Sequence, residues 1–308
     1  MSREEAGLRI DIFLAGRFTY QSRSHWRRIL EEGKILIQGK KPKASHILRE
    51  GEEIVYLPEE IAEPPVRTDF RILYEDERYF AVEKPGDLPV HAAGRYRKNN
   101  LVDLIESDPR FARPYLIHRL DRETSGLVIF GKDKEAASLL SEQFAKRTVH
   151  KSYIAFVWGE FPERLSACGI LSSDPHSAIR KKRRFLFDSQ KGPEPEKETE
   201  SCNTQFRKIG VGSLRGRSFS KVLCRPKTGR LHQIRATLYS LGFPLLGDKM
   251  YGSDERVFLD FIEGKEPDLE SLLGMSRQAL HSSSISFLHP FRGKRIRIRS
   301  PLSEDFPV

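Results

Sequence analysis

The chain has 308 residues, 53 Lys and Arg against 43 Asp and Glu, a formal charge of +10, and 38% hydrophobic residues. At roughly 150 residues per domain this is about two domains with real cores, and 19 Phe, 9 Tyr and 2 Trp exclude disorder throughout. No run reaches the ~18 apolar residues of a membrane span, and the N-terminal MSREEAGLRIDIFLAG lacks a secretory core, so a cytoplasmic monomer without a membrane partner is expected, its basic excess favouring a polyanion.

In chain order, residues 8–49 carry ten Lys or Arg against three acids, and the following Glu50–Glu63 reverses sign with six glutamates. Ile10, Phe13 and Leu14 have helical spacing. Ser22 or Ser24 can cap a second helix with Trp26, Ile29 and Leu30 on one side and Arg23, Arg27 and Arg28 largely on the other. Gly33 ends that helix, and ILIQGKKP with ILREGEEIVYLP reads as two short strands around a Gly-Lys turn. The run EEIAEPP is a linker, because Pro64 and Pro65 extend neither a helix nor a central strand. This gives an N-terminal module over 1–62, a linker over 63–67 and a larger domain over 68–308.

Beyond the linker, strands are expected at Tyr79–Glu83, Gly126–Phe130, Tyr153–Trp158, Ser220–Cys224, Ser283–Phe287 and Arg295–Arg299. One helix starts at an Asp133 cap and runs to Arg147, and another spans Leu231–Leu241 before Gly242. Strands outnumber helices without alternating with them, which predicts an α+β fold with a mixed, largely antiparallel sheet flanked by helices. The stretch over 172–200, with five basic residues at Arg180–Arg184 and a Pro/Glu/Lys tail, reads as an exposed or mobile insertion. Cys168, Cys202 and Cys224 form no C-x-x-C and the nine histidines no H-E-x-x-H, so neither a disulfide framework nor a metal is expected, and no nucleotide fingerprint calls for a cofactor.

Three segments carry chemistry. In YLIHRLDRETSGLVIF, Asp121 lies between Arg119 and Arg122 before a turn into an apolar strand. Guanidinium charge keeps it ionised, as a nucleophile or base or simply as part of a surface ion-pair network. In KTGRLHQIR, Arg230 precedes the helix and His232, Arg235 and Tyr239 share a polar stripe. There Arg235 pairs either with a distant carboxylate or with a neighbouring one. In KSYIAFVWG, Tyr153 opens a strand, where a tyrosine is usually a core residue.

The N-terminal pattern R-x-D-x-F-L, S-R-S and G-x-I-x-x-x-G-K resembles the S4 (αL-type) RNA-binding module, which implies RNA contact by Arg23, Arg27, Arg28, Lys40 and Lys41. EKPGDLPVH, HRLDRETSG, KTGRLHQIR, LGFPLLGDKMYG and LHSSSISFLHP together resemble the RluA family of pseudouridine synthases over almost the whole chain. That resemblance implies Asp121 as the catalytic aspartate, Tyr153 as the active-site tyrosine and Arg235 as the partner of the aspartate. It further implies Arg119 filling the gap left by an extruded uridine, and Arg230 and His232 near the substrate backbone.

The reaction so implied breaks the ribose C1′ to N1 bond, turns the base and rejoins C1′ to C5, without a metal or cofactor. Positive charge grows on the sugar as in glycoside hydrolysis, and one carboxylate answers it by attack at C1′ or by taking the C2′ proton. Looped uridines in structured RNA, foremost large-subunit ribosomal RNA and alternatively tRNA, are the expected partners. The rivals are a catalytically inactive RNA-binding or ribosome-assembly factor on the same fold and an RNA-cleaving enzyme.

Overall fold

The structure is a computed structural model that describes residues 5–18, 22–57, 63–111, 113–188, 199–252, 254–265 and 267–307. The chain divides into two compact units, Met1–Pro64 and Pro65–Val308.

In the first unit, α1 (Ile10–Arg17) and α2 (Arg23–Glu31) precede two antiparallel strands, β1 (Ile35–Ile37) and β2 (Ile54–Tyr56). Ser22 is the cap of α2, its Oγ accepting from His25 N at 3.2 Å. Ile10, Leu14, Trp26, Ile29 and Leu30 bury together against Ile35 and Ile37. Asp11 is wholly buried, and Arg9 and Arg23 both donate to it, Arg23 Nη2 at 2.8 Å. A buried carboxylate needs such partners, so Arg23 spends two donors on Asp11 while its side chain stays half exposed. Arg27, Arg28, Lys40 and Lys41 remain exposed.

In the second unit, eleven strands among the described residues form one sheet in the order β3-β4-β6-β12-β7-β11-β10-β8-β9, with β13 on β12 and β5 on β6. The first six are β3 (Arg71–Glu75), β4 (Tyr79–Lys84), β5 (Tyr115–Leu116), β6 (Ser125–Gly131), β7 (His150–Trp158) and β8 (Arg164–Ser173). They are followed by β9 (Arg183–Phe187), β10 (Glu200–Leu214), β11 (Arg217–Pro226), β12 (Leu280–Leu288) and β13 (Arg295–Arg299). Only β6 and β12 pair in parallel; every other pairing is antiparallel. Every residue of β4 and β6 is buried, the mark of strands covered on both faces.

Among the helices, α3 (Leu101–Glu106) buries Leu101 and Ile105. α4 (Lys134–Ala145) starts at Asp133, whose carboxylate accepts from Ala136 N at 2.9 Å, and packs Ala136 and Leu140 on Leu127, Ile129 and Ile285. α5 (Gln233–Ser240) is shorter at both ends than its periodicity suggests, because His232 takes a left-handed conformation with φ +55° and Leu241 ends the helix. α6 (Arg256–Glu263) and α7 (Leu269–Leu273) follow.

The expected insertion is largely structured. β9 pairs with β8 from Gly169 to Ser173, with Phe185 and Phe187 turned to the core. Lys182 is 2% exposed, its Nζ on Glu255 at 2.7 Å and 4.5 Å from the centre of the Tyr239 ring. The consecutive basic residues hid a strand whose Phe185 and Phe187 face the core. The Pro/Glu/Lys tail over 189–198 lies outside the described residues. The two-residue turn from β10 into β11 is Arg215-Gly216, both with φ above +50°, the hairpin geometry that matches strand twist. All three cysteines are free and lie in β8, β10 and β11.

Candidate active site

Asp121 sits on the loop between β5 and β6, which returns on itself through a Thr124 N–H to Asp121 carbonyl bond of 3.1 Å. The loop is pinned from below by Lys84, the last residue of β4, which has no exposure at all. Its Nζ donates to the carbonyls of Pro85, Leu88 and Arg122, each at 2.8 Å. Burial and the nearby Arg277 charge push this amine well below its ordinary value, yet three carbonyl acceptors around one nitrogen suit the three donors of an ammonium. From the other side, Arg277 donates to the Glu123 carbonyl at 3.0 Å and forks onto Asp305 at 2.6 and 2.7 Å.

Arg235, in the first turn of α5, meets Asp121 through Nη1 to Oδ2 at 2.8 Å. Its remaining donors are used as well: Nε and Nη2 fork onto Asp248 at 2.7 and 2.9 Å, the planar geometry in which guanidinium and carboxylate pair most strongly. Asp248 is wholly buried and also accepts the backbone N–H groups of Met250 and Tyr251 at 3.1 and 3.0 Å. Burial raises the Asp121 carboxyl, but the Arg235 charge, with help from His232 and hydrogen bonds from Arg235 and Gln278, outweighs it and holds the group below the ordinary carboxylate range. Asp121 is therefore ionised at neutral pH.

The start of α5 is held by Gln233, which is buried and fully bonded. Its carbonyl oxygen accepts from Thr228 Oγ1 at 2.6 Å and Arg230 N at 3.1 Å, while its amide donates to Thr204 Oγ1 at 2.8 Å and the Asn203 carbonyl at 3.2 Å. His232 Nδ1 lies 3.1 Å from the Tyr251 hydroxyl, which already accepts from Arg183 N at 2.9 Å. The one phenolic proton then points to Nδ1, leaving the imidazole N–H on Nε2. Burial, reinforced by Arg235, lowers His232 to about 4, so it is neutral.

Asp121, Arg235, Tyr153, His232, Arg119 and Arg230 all line one open cavity of about 300 Å³, walled by Leu120, Phe144, Pro226 and Leu280. Tyr153, on β7 opposite Ser282 of β12, is pushed up to about 12, chiefly by burial, with the Asp121 charge adding to the rise. It is a neutral phenol at physiological pH. Arg119 is exposed, with Nη1 3.5 Å from His91 Nε2. Arg230 pairs with Glu200 at 3.1 Å, so its charge is already half answered. Lys151, lowered to about 8 by burial, reaches the Thr228 carbonyl at 3.1 Å beneath Gly229.

The sequence put Arg235 on a polar stripe; in the fold it is 7% exposed and lies between two carboxylates. Asp248 was not singled out. Its signal was an acid inside the apolar, glycine-rich GFPLLGDKMYG, where an unpaired charge has no place. Arg23, Arg27, Arg28, Lys40 and Lys41 belong to the first unit. Among the described residues no group of three or more His, Cys, Asp or Glu is arranged to hold a metal, and no helix is long and apolar enough to cross a membrane.

Comparison with known proteins places this geometry. Residues 78–240 match the family described as RNA pseudouridylate synthase. The chain is 32% identical to a ribosomal large subunit pseudouridine synthase D of Xanthomonas campestris pv. campestris, over 97% of this chain and 87% of that protein. It is 30% identical to a ribosomal large subunit pseudouridine synthase C of Buchnera aphidicola, over 99% and 94% respectively. The solved structure of human RNA pseudouridylate synthase domain containing 1 superposes with a TM-score of 0.60 at 23% identity, covering 77% of this chain and 86% of that one, which shows a shared fold. Sequence match over most of the chain, shared fold and an ionised aspartate in an open cleft agree, and the chain belongs to the RNA pseudouridylate synthase family.

Proposed function

We propose that this protein converts uridine to pseudouridine in RNA, with large-subunit ribosomal RNA as the target, and that Asp121 is the catalytic residue. The observation that carries this reading is the clamp Asp121–Arg235–Asp248 at an open cleft: an aspartate kept ionised on a rigid support, with a second carboxylate wholly buried and engaged elsewhere. Such a lone ionised acid suits a reaction in which positive charge grows at C1′ and the departing uracil leaves as an anion. Asp121 then either bonds to C1′ or removes the C2′ proton. The base turns, C5 takes the place of N1 on C1′, and the C5 proton is lost as N1 regains one, so no atom is gained or lost overall.

Tyr153 works here as a neutral platform for the freed uracil. Its phenol, at about 12, is a poor source of base at neutral pH. Arg119, exposed at the rim, occupies the space the uridine leaves and offsets part of the unstacking cost of a few kcal/mol. Neutral His232 offers an Nε2–H donor, and the half-answered charge of Arg230 steadies a phosphate. Residues 1–62 act as an S4-like capture module through Arg27, Arg28, Lys40 and Lys41, Arg23 bracing them from Asp11, and the chain works as a monomer.

The test is a map of pseudouridines in ribosomal and transfer RNA from cells with the wild-type protein, without it, and with Asp121→Asn. Loss of defined sites in the last two, with RNA binding by purified Asp121→Asn nearly intact, is the expected result. An unchanged map in all three would leave an RNA-binding factor that performs no isomerisation.

A further inference from the structure

The sheet has a second charged surface, on the face turned away from the catalytic cavity. Along β8, β10 and β11 the core-facing residues are Ala167, Phe206, Val222 and Cys224. Cys224 is opposite Tyr153 in register, so this is the face that looks into the cavity. The intervening residues point the other way. There Arg164, Arg207 and Arg225, with Ser166, Gln205 and Leu223, line an open depression of about 420 Å³. All three arginines are exposed and none has an ion pair among the described residues.

This placement is costly in isolation. Arg207 is directly opposite Arg164 in the β10–β8 register, and like charges at facing positions of a sheet repel. Some other arginines in or beside the strands of this unit are answered by acids, such as Arg71 by Glu83 at 2.6 Å and Arg292 by Glu77. No Asp or Glu occupies the outward positions of β8, β10 or β11 on this face. The same face continues through Leu223 opposite Ile154 and Ser152 opposite Ser284 to β13. There Arg297 donates to Ser284 Oγ at 3.1 Å, and Arg295 and Arg299 are exposed at alternate positions. The apolar end of this face, at Phe156 and Phe219, is already covered by Leu302 and Phe306, whereas the arginine end is open.

We propose that this reverse face is a second RNA-binding surface, on which Arg164, Arg207 and Arg225 hold backbone phosphates of a structured RNA whose target uridine occupies the cavity on the opposite face. The choice of polyanion rests on the isomerase reading above. Guanidinium forks match phosphate oxygens, the Gln205 amide and Ser166 hydroxyl can bond sugar and phosphate, and such contacts fix position without reading sequence. A large folded RNA can reach both faces; a short hairpin seated in the cavity cannot.

The test uses the full chain with Arg164→Gln, Arg207→Gln and Arg225→Gln combined. A control removes equal charge at Arg110, Arg256 and Arg292, which are paired with acids, and thermal melts check folding. The probes are intact large-subunit ribosomal RNA and a hairpin bearing the mapped uridine. With intact RNA the triple variant should lower the slope of log affinity against log salt by about 2 to 3, so wild type loses roughly 16- to 64-fold more affinity than the variant between 50 and 200 mM salt. Hairpin single-turnover rate should stay unchanged, and the control should follow wild type on both probes. Equal salt slopes for variant and wild type would overturn the proposal, as would an equal loss in the control. So would binding of wild type, but not the variant, to phosphatidylserine vesicles with unchanged RNA affinity. Absence of pseudouridine from both RNAs with wild type would refute the isomerase reading instead, leaving the binding comparison to be read by itself.

Discussion

At the scale of single residues the site turns on Arg235, whose donors are divided between one carboxylate that faces the cleft and one that faces nothing but protein. The buried partner fixes the plane of the guanidinium and so the place of Asp121. Asp248→Asn removes a charge without changing shape, leaving the Arg235 charge under-answered and setting an amide NH2 against its Nε–H in a dry site. Breaking a buried pair from one side costs about 3–5 kcal/mol. Urea unfolding should show a loss of that order, with a fall in single-turnover rate larger than any change in RNA affinity. Wild-type stability with normal turnover would mean that Arg235 needs only Asp121. The sequence pointed to Asp121 and Arg235 because each sits in a dense polar motif, but Asp248 lacks such surroundings and acquires its role only when α5 packs against its loop.

At the scale of elements, the catalytic loop is a short link between a two-residue strand and a fully buried one, fixed by contacts from far along the chain. Lys84 ties three carbonyls and Arg277 a fourth. Lys84→Met keeps the volume of the stem and orphans the Pro85 and Leu88 carbonyls, while the Arg122 carbonyl still accepts from Leu88 N at 3.1 Å, each unsatisfied carbonyl costing about 1–3 kcal/mol. Chemical denaturation should record several kcal/mol of destabilisation, and a variant as stable as wild type would show that water replaces the ammonium. Gly126, where β6 begins, has φ +104°, and a Cβ there would come within 2.4 Å of the Ser282 carbonyl oxygen. Gly126→Ala should therefore loosen the parallel β6–β12 pairing, seen as faster amide exchange at Leu127 and Ser282. The strands with β-branched and aromatic alternation were legible from composition. β9 and β10 were not, because Arg183 and Arg184 at the start of one and Gln205, Arg207 and Lys208 within the other mimic a solvated loop until the partner strand is present.

At the scale of the whole molecule, several histidines of the second unit are held neutral by burial: His118 at about 3, His232 at about 4 and His281 at about 4. His281 is wholly buried, with Nδ1 2.9 Å from Ser125 Oγ. The unfolded chain takes up a proton on it from about pH 6.5 downward, whereas the folded chain does so only near 4. Stability is thus full above pH 6.5 and declines as pH falls through that window, by about 2 kcal/mol at pH 5 for this residue alone. Asp121 acts in the same direction at lower pH: held below its ordinary range, it favours folding above about pH 4 and loses that contribution only in stronger acid. Urea midpoints at pH 7 and pH 5 should differ in wild type, and the difference should shrink in His281→Asn. An equal difference in both proteins would assign the pH sensitivity elsewhere. The division at Pro64 and Pro65 was legible from prolines and a change of charge sign, whereas the pairing order of eleven strands was beyond periodicity, since neighbours such as β6 and β12 are far apart in sequence.

The two-sided grip on Arg235 has a consequence for turnover. Whether Asp121 becomes an ester of the sugar or accepts its C2′ hydrogen, it ceases to be an anion midway through the cycle. A guanidinium dependent on it alone would then be a stranded cation in a dry interior. Asp248, which never meets the substrate on this reading, preserves electroneutrality through that interval, so the scaffold has no reason to rearrange while the uracil is detached and turning.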